Sequence, residues 1–365
     1  MNKKTIFMML YSCIFLISLI LTNVLINVFL PKYDMRQNLG DVSAKLEYFT
    51  QHKDDYDMIF LGPSTTYYGL MPKLFDEAIS VNGNSFKSFN FGIMSANVAE
   101  LDFYLQKILA LKPAKLKWIF LDCLVDSFVE EAPTATKNVY WHTPIKTLEN
   151  FKLIAESTLN LDIKIAALYA NSISFIYNWL GIGNFSDYVN PRITITPGGI
   201  LSDRVIQESG YYAMDWMNDI ELLDKIFQEK YLEIYQQELS QAKSAFSNSQ
   251  NISKYPVDSY ALKIIKQMID RIDNQEKITQ NKIESIFLIP PALDADVEHT
   301  PIMRALNLGY VSTLFAFNNP NKYPSLYELA NRSDQRHLNN QGAEKFTKIL
   351  AAEFSNYLKL SNRIF

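Results

Sequence analysis

The sequence predicts an α/β fold: a parallel sheet covered by helices on both faces, broken by a large, mostly helical insertion and preceded by one N-terminal transmembrane helix. Three observations predict it. Short apolar runs alternate with helix-like segments between residues 54 and 122, the pattern of βαβ units. Another apolar run, Ile283–Ile289, follows a helix-rich stretch of 160 residues, Cys123–Lys282. At the start, the 26 residues Thr5–Leu30 contain no Asp, Glu, Lys or Arg.

That leader comes first in the chain. Crossing about 30 Å of hydrocarbon takes roughly 20 apolar residues in a helix, and Thr5–Leu30 exceeds this even with Asn23 and Asn27 near its end. A cleaved signal peptide would have a shorter apolar region and then a small-x-small site; the run is longer, and no convincing site follows. Residues 1–30 therefore read as an uncleaved signal anchor. Lys3 and Lys4 keep its N-terminus in the cytoplasm, which places residues 31–365 outside the cytoplasmic membrane. Residues 31–53 read as a linker, a linker-like or helical stretch that opens the body.

Tyr56–Leu61 then reads as a buried strand, broken by Gly62-Pro63-Ser64, with a helix opening at Thr65. Phe89–Phe91 is a second strand, ended by Gly92. Asn97 caps the next helix, in which Leu101, Tyr104, Leu105 and Ile108 recur at helical spacing. Pro113 ends it. Leu116–Leu121 is the third strand, with Asp122 at its carboxyl end. Within the insertion over 123–282, Asp219–Phe246 and Asp258–Asn281 are helical patterns, and Asn190–Met214 is loop-rich or hairpin-like. After the strand Ile283–Ile289 comes Pro290-Pro291. Asn339–Leu360 is an amphipathic helix with Phe346, Ile349, Leu350 and Phe354 on one face. The domain thus runs over 54–365.

Composition sets outer bounds. At 48% hydrophobic and 20% charged residues, the chain is globular rather than disordered, collagenous or coiled-coil. Its net charge is −4, and setting aside Lys3 and Lys4 leaves 33 basic against 39 acidic residues beyond the leader. An acidic body does not suit nucleic acid, whose phosphates need basic neutralisation. Cys123 is the only cysteine beyond the leader, so the body has no internal disulfide.

Two segments carry chemistry. Phe60-Leu61-Gly62-Pro63-Ser64-Thr65-Thr66 sets a serine directly after a buried strand and before a helix. That is the carboxyl edge of an open α/β sheet, where ligands bind; the plainer reading is a helix N-cap. The second is Ser333-Asp334-Gln335-Arg336-His337-Leu338-Asn339-Asn340-Gln341-Gly342. Here an acid precedes a histidine by three residues, a spacing that lets a carboxylate hold one imidazole nitrogen and leaves the other free as a base. Of the four histidines, His52, His142, His299 and His337, only His337 has this setting. The plainer reading is a surface histidine beside a helix cap.

Together, a post-strand serine near the start and D-x-x-H-L-N-x-x-G near the end resemble the SGNH (GDSL-like) hydrolase superfamily. The likeness is to its membrane-anchored branch, which includes alginate and peptidoglycan O-acetylation proteins and the teichoic-acid D-alanyl transfer protein. Asn90-Phe91-Gly92, the Leu-Lys-Pro before the third strand and the Pro-Pro after Ile289 match as well. The resemblance covers roughly residues 54–128 and 283–357. It implies a flavodoxin-like three-layer fold, with Ser64 as nucleophile, His337 as general base and Asp334 as its orienting acid. It also implies an oxyanion hole from the backbone N–H groups of Ser64 and Gly92. Two family features are absent. Pro63 stands where the family has aspartate, and Leu121-Asp122-Cys123-Leu124 replaces the Gly-x-Asn-Asp block that supplies an asparagine donor. Asn97 is the candidate substitute, and helix capping explains it equally well.

The expected function is an extracytoplasmic serine acyltransferase or esterase that acylates or deacylates a cell-envelope or exported polysaccharide through an acyl-serine. The resemblance implies a membrane-bound O-acyltransferase as partner. The alternative is a non-catalytic scaffold or polymer-binding subunit of an export complex. The sequence has no H-E-x-x-H, C-x-x-C, phosphate-loop or dinucleotide signature, so neither metal nor cofactor is expected. Tyr140, Trp141, Tyr177, Trp179, Tyr188, Tyr211, Tyr212 and Trp216 in the insertion either stack on sugar rings or fill the core. Asp122 with Asp126 reads as an acid pair or a strand-end cap.

Overall fold

The structure is a computed structural model that describes residues 2–29, 39–80, 85–123, 132–181, 200–217, 220–245, 252–279, 281–293 and 295–361. Tyr188, Asp126, residues 190–199 of the stretch expected to be loop-rich or hairpin-like and both ends of the Asp219–Phe246 pattern lie outside them.

Five strands form one all-parallel sheet: β1 (Met58–Gly62), β2 (Ser88–Gly92), β3 (Trp118–Leu121), β4 (Glu284–Ile289) and β5 (Leu314–Ala316), in the order β2-β1-β3-β4-β5. The first four lie where the apolar runs predict. The three-residue β5 has no such signature. Strands β1, β3 and β4 are near-continuous apolar runs because both faces of the sheet are covered. Alternate residues face opposite layers. Ile59, Leu61, Phe89, Phe91, Ile119, Leu121 and Phe287 enter one core. Met58, Phe60, Trp118, Phe120, Ile286 and Leu288 enter the other.

The helices are α1 (Lys3–Phe29), α2 (Asp41–His52), α3 (Ser64–Gly69), α4 (Pro72–Ile79), α5 (Val98–Ala110), α6 (Thr136–Trp141), α7 (Pro144–Glu156), α8 (Leu161–Leu180), α9 (Ile200–Gln207), α10 (Ile220–Ile226), α11 (Leu232–Ala245), α12 (Tyr260–Thr279), α13 (Ala295–Asn307) and α14 (Asn340–Leu360). Helix α1 is long and apolar enough to cross a membrane, and its span is unburied by the rest of the chain. Phe346, Leu350 and Phe354 of α14 pack with Phe75 of α4 on one face of the sheet. Helices α5 and α12 cover the other.

Two boundaries differ from expectation. The stretch predicted as a linker over 31–53 contains α2, whose Val42 and Phe49 belong to the core. From Asp41 on it is therefore part of the body. The insertion predicted over 123–282 ends earlier, because α12 places Ile264, Ile265, Met268 and Ile272 in the core. A parallel β3-to-β4 connection needs a helix packed on the sheet, and α12 is that helix. The helical pattern Asp219–Phe246 is helical over all of its described residues, 220–245, with a π-helical turn, Phe227–Tyr231, between α10 and α11.

Candidate active site

In this strand order the direction of winding reverses between β1 and β3, and ligands of open α/β sheets bind beyond the carboxyl ends there. Ser64 follows β1 at that point, as the first residue of α3. The chain turns so sharply because Gly62 has no side chain. A Cβ there would lie 2.2 Å from Thr66 Oγ1 and 2.7 Å from Asp122 Cβ. Gly92 does the same on β2, where a Cβ would lie 2.4 Å from the Tyr67 nitrogen. Both glycines let α3 settle directly on the sheet edge.

The second segment arrives from the other end of the chain. Ser333 N–H donates to His337 O at 3.0 Å, closing the 333–337 loop just before α14. Ser64 Oγ lies 2.8 Å from His337 Nε2, and His337 Nδ1 lies 2.7 Å from Asp334 Oδ2. The three side chains predicted to act together do meet. Asp334 Oδ1 accepts from the backbone N–H groups of Arg336 and His337 at 2.7 and 2.6 Å. Burial pushes its carboxyl pKa upward, but the hydrogen bonds and charge of His337 and the two backbone donors outweigh this and hold it at about 2. Asp334 is thus a carboxylate across the neutral pH range. Tyr68 presses edge-on against the imidazole, ring centroids 5.5 Å apart. This fixes the plane of the ring.

Two further side chains hold the arrangement, and the sequence reading left out the first of them, Arg332. The buried Arg332 donates through Nε to Asp334 O at 3.2 Å, and through its other nitrogens to Pro291 O and Gln335 O. It ties the histidine loop to the end of β4. Asp122, read only as a strand cap or half of an acid pair, is fully buried. Its Oδ2 accepts from Thr65 Oγ1 at 2.6 Å and Thr66 Oγ1 at 2.9 Å. It anchors the first turn after Ser64 to β3. Burial raises its pKa to about 7, although the two threonine hydroxyls favour the carboxylate. Its Oδ1 has no hydrogen-bond partner among the described residues.

The predicted oxyanion hole fares differently. The Gly92 N–H donates to Asn90 Oδ1 at 2.7 Å, so it is already engaged within its own strand. Asn97 Oδ1 accepts from Glu100 N–H at 2.9 Å as the cap of α5. The plainer reading of Asn97 is the observed one. Ser64 N–H remains, in the first helical turn where no intrahelical acceptor exists. Lys45 of α2 lies behind this edge, buried, with Nζ 2.8 Å from Gly92 O and 3.9 Å from the Tyr67 ring centroid. Burial takes its pKa well below the ordinary value, against the opposing charge of Asp41.

A cleft of about 400 Å³ opens against the 333–337 loop, walled on the far side by Met214, Ile226, Phe227 and Tyr231 of the insertion. The aromatic residues divide. Trp141 is buried. Tyr211 is buried and donates to Asn340 Oδ1 at 2.8 Å. Tyr212 packs on Tyr67 and Tyr68, and Trp216 on Tyr212. Trp179 is exposed. His142 is a core residue held by Asn138 O and Asn171 Oδ1. His52 bonds Tyr48 O within α2. Among the described residues no cluster of His, Cys, Asp or Glu is arranged to hold a metal.

Comparison with models of known protein families, with curated proteins and with solved structures finds no match for the chain.

Proposed function

We propose that the protein is an SGNH-type serine acyltransferase or esterase of flavodoxin-like fold. Its body stands outside the cytoplasmic membrane on the α1 anchor and acts on a cell-envelope or exported polysaccharide. One observation carries the reading: an unbroken relay from Ser64 Oγ to His337 Nε2 at 2.8 Å and from His337 Nδ1 to Asp334 at 2.7 Å. A helix cap needs no histidine, and a surface histidine needs no serine. The two plainer readings of the separate segments do not account for their meeting.

The chemistry follows from the geometry. His337 Nε2 takes the Ser64 proton as Oγ attacks the carbonyl carbon of an acyl ester. The tetrahedral oxyanion collapses with loss of the donor's alkoxide, which receives that proton from His337. A sugar hydroxyl, or water, then gives its proton to His337 and attacks the acyl-serine. Ser64 leaves as an alkoxide and is reprotonated. Asp334, ionised throughout, holds the imidazole tautomer and balances the transient imidazolium. A membrane-bound O-acyltransferase is the partner suited to bring acyl groups across the bilayer.

A second reading, a non-catalytic scaffold or polymer-binding subunit, is favoured by the engagement of Gly92 N–H and Asn97. Loss of one oxyanion donor costs about 2.7–4 kcal/mol of transition-state stabilisation. Labelling with an activated acyl ester separates the two readings. Wild type should form a covalent acyl adduct on Ser64 that Ser64→Ala cannot form. Equal labelling of both would remove the enzyme reading. Release of free acid in the presence of every glycan acceptor tried would assign hydrolysis rather than transfer.

A further inference from the structure

Helix α8 is packed inside out. Its buried residues are small or polar: Ala167, Ala170, Asn171 and Ser174. They are well satisfied. Asn171 Oδ1 meets His142 Nε2 at 2.8 Å, Ser174 Oγ donates to Pro133 O at 2.7 Å, and Asn178 Nδ2 donates to Val139 O at 2.9 Å. Five of its large apolar residues point the other way. Leu161, Ile165, Tyr169 and Trp179 are 73%, 59%, 68% and 53% exposed, and Ile176 is exposed too. At 3.6 residues per turn these five fall within a stripe of roughly 80°. No charged residue shares it. Neighbouring α7 adds Ile145 and Leu148, 72% and 67% exposed.

Water does not favour this arrangement. A helix in an aqueous body turns its large apolar side chains inward, and a contiguous exposed apolar patch marks a contact surface. Small residues inside and large apolar ones outside is the distribution of a helix facing lipid. The anchor shows which surface is near. Asn23, at the end of the membrane-length span, donates through Nδ2 to Leu180 O, the last carbonyl of α8. The end of α8 that carries Trp179 therefore lies where α1 leaves the bilayer. A tryptophan suits that depth, with an apolar ring and a polar N–H.

We infer that the outer face of α7 and α8 lies in the headgroup region of the same bilayer that α1 crosses, so that the body is held by an anchor and an interfacial helix together. The inference rests on α1 as a membrane span. A chain held at two places cannot rotate freely about its anchor, so its active-site edge keeps a set height and direction relative to the membrane.

The test uses the full chain, one copy per nanodisc of phosphatidylcholine and phosphatidylglycerol with brominated acyl chains. Of the four tryptophans, Trp118 and Trp141 are buried, Trp216 is half-buried and Trp179 is exposed. Lipid-dependent quenching of tryptophan fluorescence should be present in wild type and in Trp216→Phe, and mostly lost in Trp179→Phe. Replacing both Ile165 and Tyr169 by Asp, at exposed positions where folding tolerates it, should also reduce it, with circular dichroism unchanged. A reporter in the anchor, Leu16→Trp in the Trp179→Phe background, shows whether α1 is inserted. A quenched anchor reporter with unquenched Trp179 would overturn the inference and leave the anchor standing. If neither is quenched, the anchor reading fails and the inference falls with it. Full quenching in the double Asp variant would overturn the role of the apolar stripe.

Discussion

Ser64 Oγ and His337 Nε2 stand 2.8 Å apart, although 273 residues separate them in the chain. Neither residue reaches that position alone. Ser64 is delivered by the end of β1, and His337 by a loop clamped to the end of β4. The parallel sheet brings these two carboxyl ends to the same edge, with β3 between them.

Asp334→Asn should lower the rate of acyl-serine formation by about 10²- to 10⁴-fold, as loss of an oriented general base does. Labelling kinetics at pH 7 measure it. The stability effect has a defined pH window. The Asp334 carboxyl is held at about 2 in the folded chain, below its usual range, so its contribution is present above about pH 4 and is lost as pH falls toward 2. The stability gap between wild type and Asp334→Asn should therefore shrink between pH 4 and 2 in urea titrations. A gap independent of pH would contradict the ion pair with His337.

Asp122 has the opposite sign. Its folded pKa of about 7 lies above the usual carboxylate value because it is buried. Folding then favours the protonated acid, and stability falls as pH rises from about 4 through 7. Asp76, raised to about 7 chiefly by burial, adds to the same trend. Asp122→Asn can still accept from Thr65 and Thr66, so it should flatten part of that fall and equal or exceed wild-type stability at pH 8. Asp122→Ala leaves the two hydroxyls without their acceptor and should cost about 1–3 kcal/mol for each that stays buried and unpaired. Thermal melts from pH 4 to 8 distinguish the three proteins.

Arg332→Met should both destabilise the chain and slow the acylation step. The guanidinium serves three carbonyl oxygens, those of Pro291, Asp334 and Gln335. Removing it leaves buried acceptors unpaired, at about 1–3 kcal/mol each. It also frees the loop that carries Asp334 and His337. The measurement is a urea midpoint together with labelling kinetics on the folded fraction. Normal labelling despite lower stability would limit Arg332 to a structural role.

Gly62→Ala should destabilise by about 1–3 kcal/mol, the range for forcing an atom into a packed site. Its Cβ would meet Thr66 Oγ1 at 2.2 Å and Asp122 Cβ at 2.7 Å. Since those atoms fix the turn at Ser64, labelling should fall more than stability alone requires.

Four of the five strands, the capped helix after Asn97 and the terminal helix are legible as sequence because burial leaves a periodic trace. The three-residue β5 is too short to leave one. The N-cap at Asn97 is equally legible, and its plain reading is the observed one. Arg332 and Asp122 are not legible in their roles. A buried arginine has the same letter as a surface one, and only the three carbonyls around it assign its function. Lys45 was hidden for a related reason: its segment has the polar composition of a linker, yet α2 packs on the sheet through Val42 and Phe49.

By itself the sequence determined the α/β class, the apolar leader and the two short segments that hold Ser64, Asp334 and His337. Those properties depend on residue type and on spacing over a few positions. Only the tertiary structure decided that the serine and histidine meet and that Gly92 N–H is already spent on Asn90. It alone showed that α8 turns its large apolar residues outward. These are relations between atoms far apart in the chain, and they are set by how the strands pair and which helix face finds a partner.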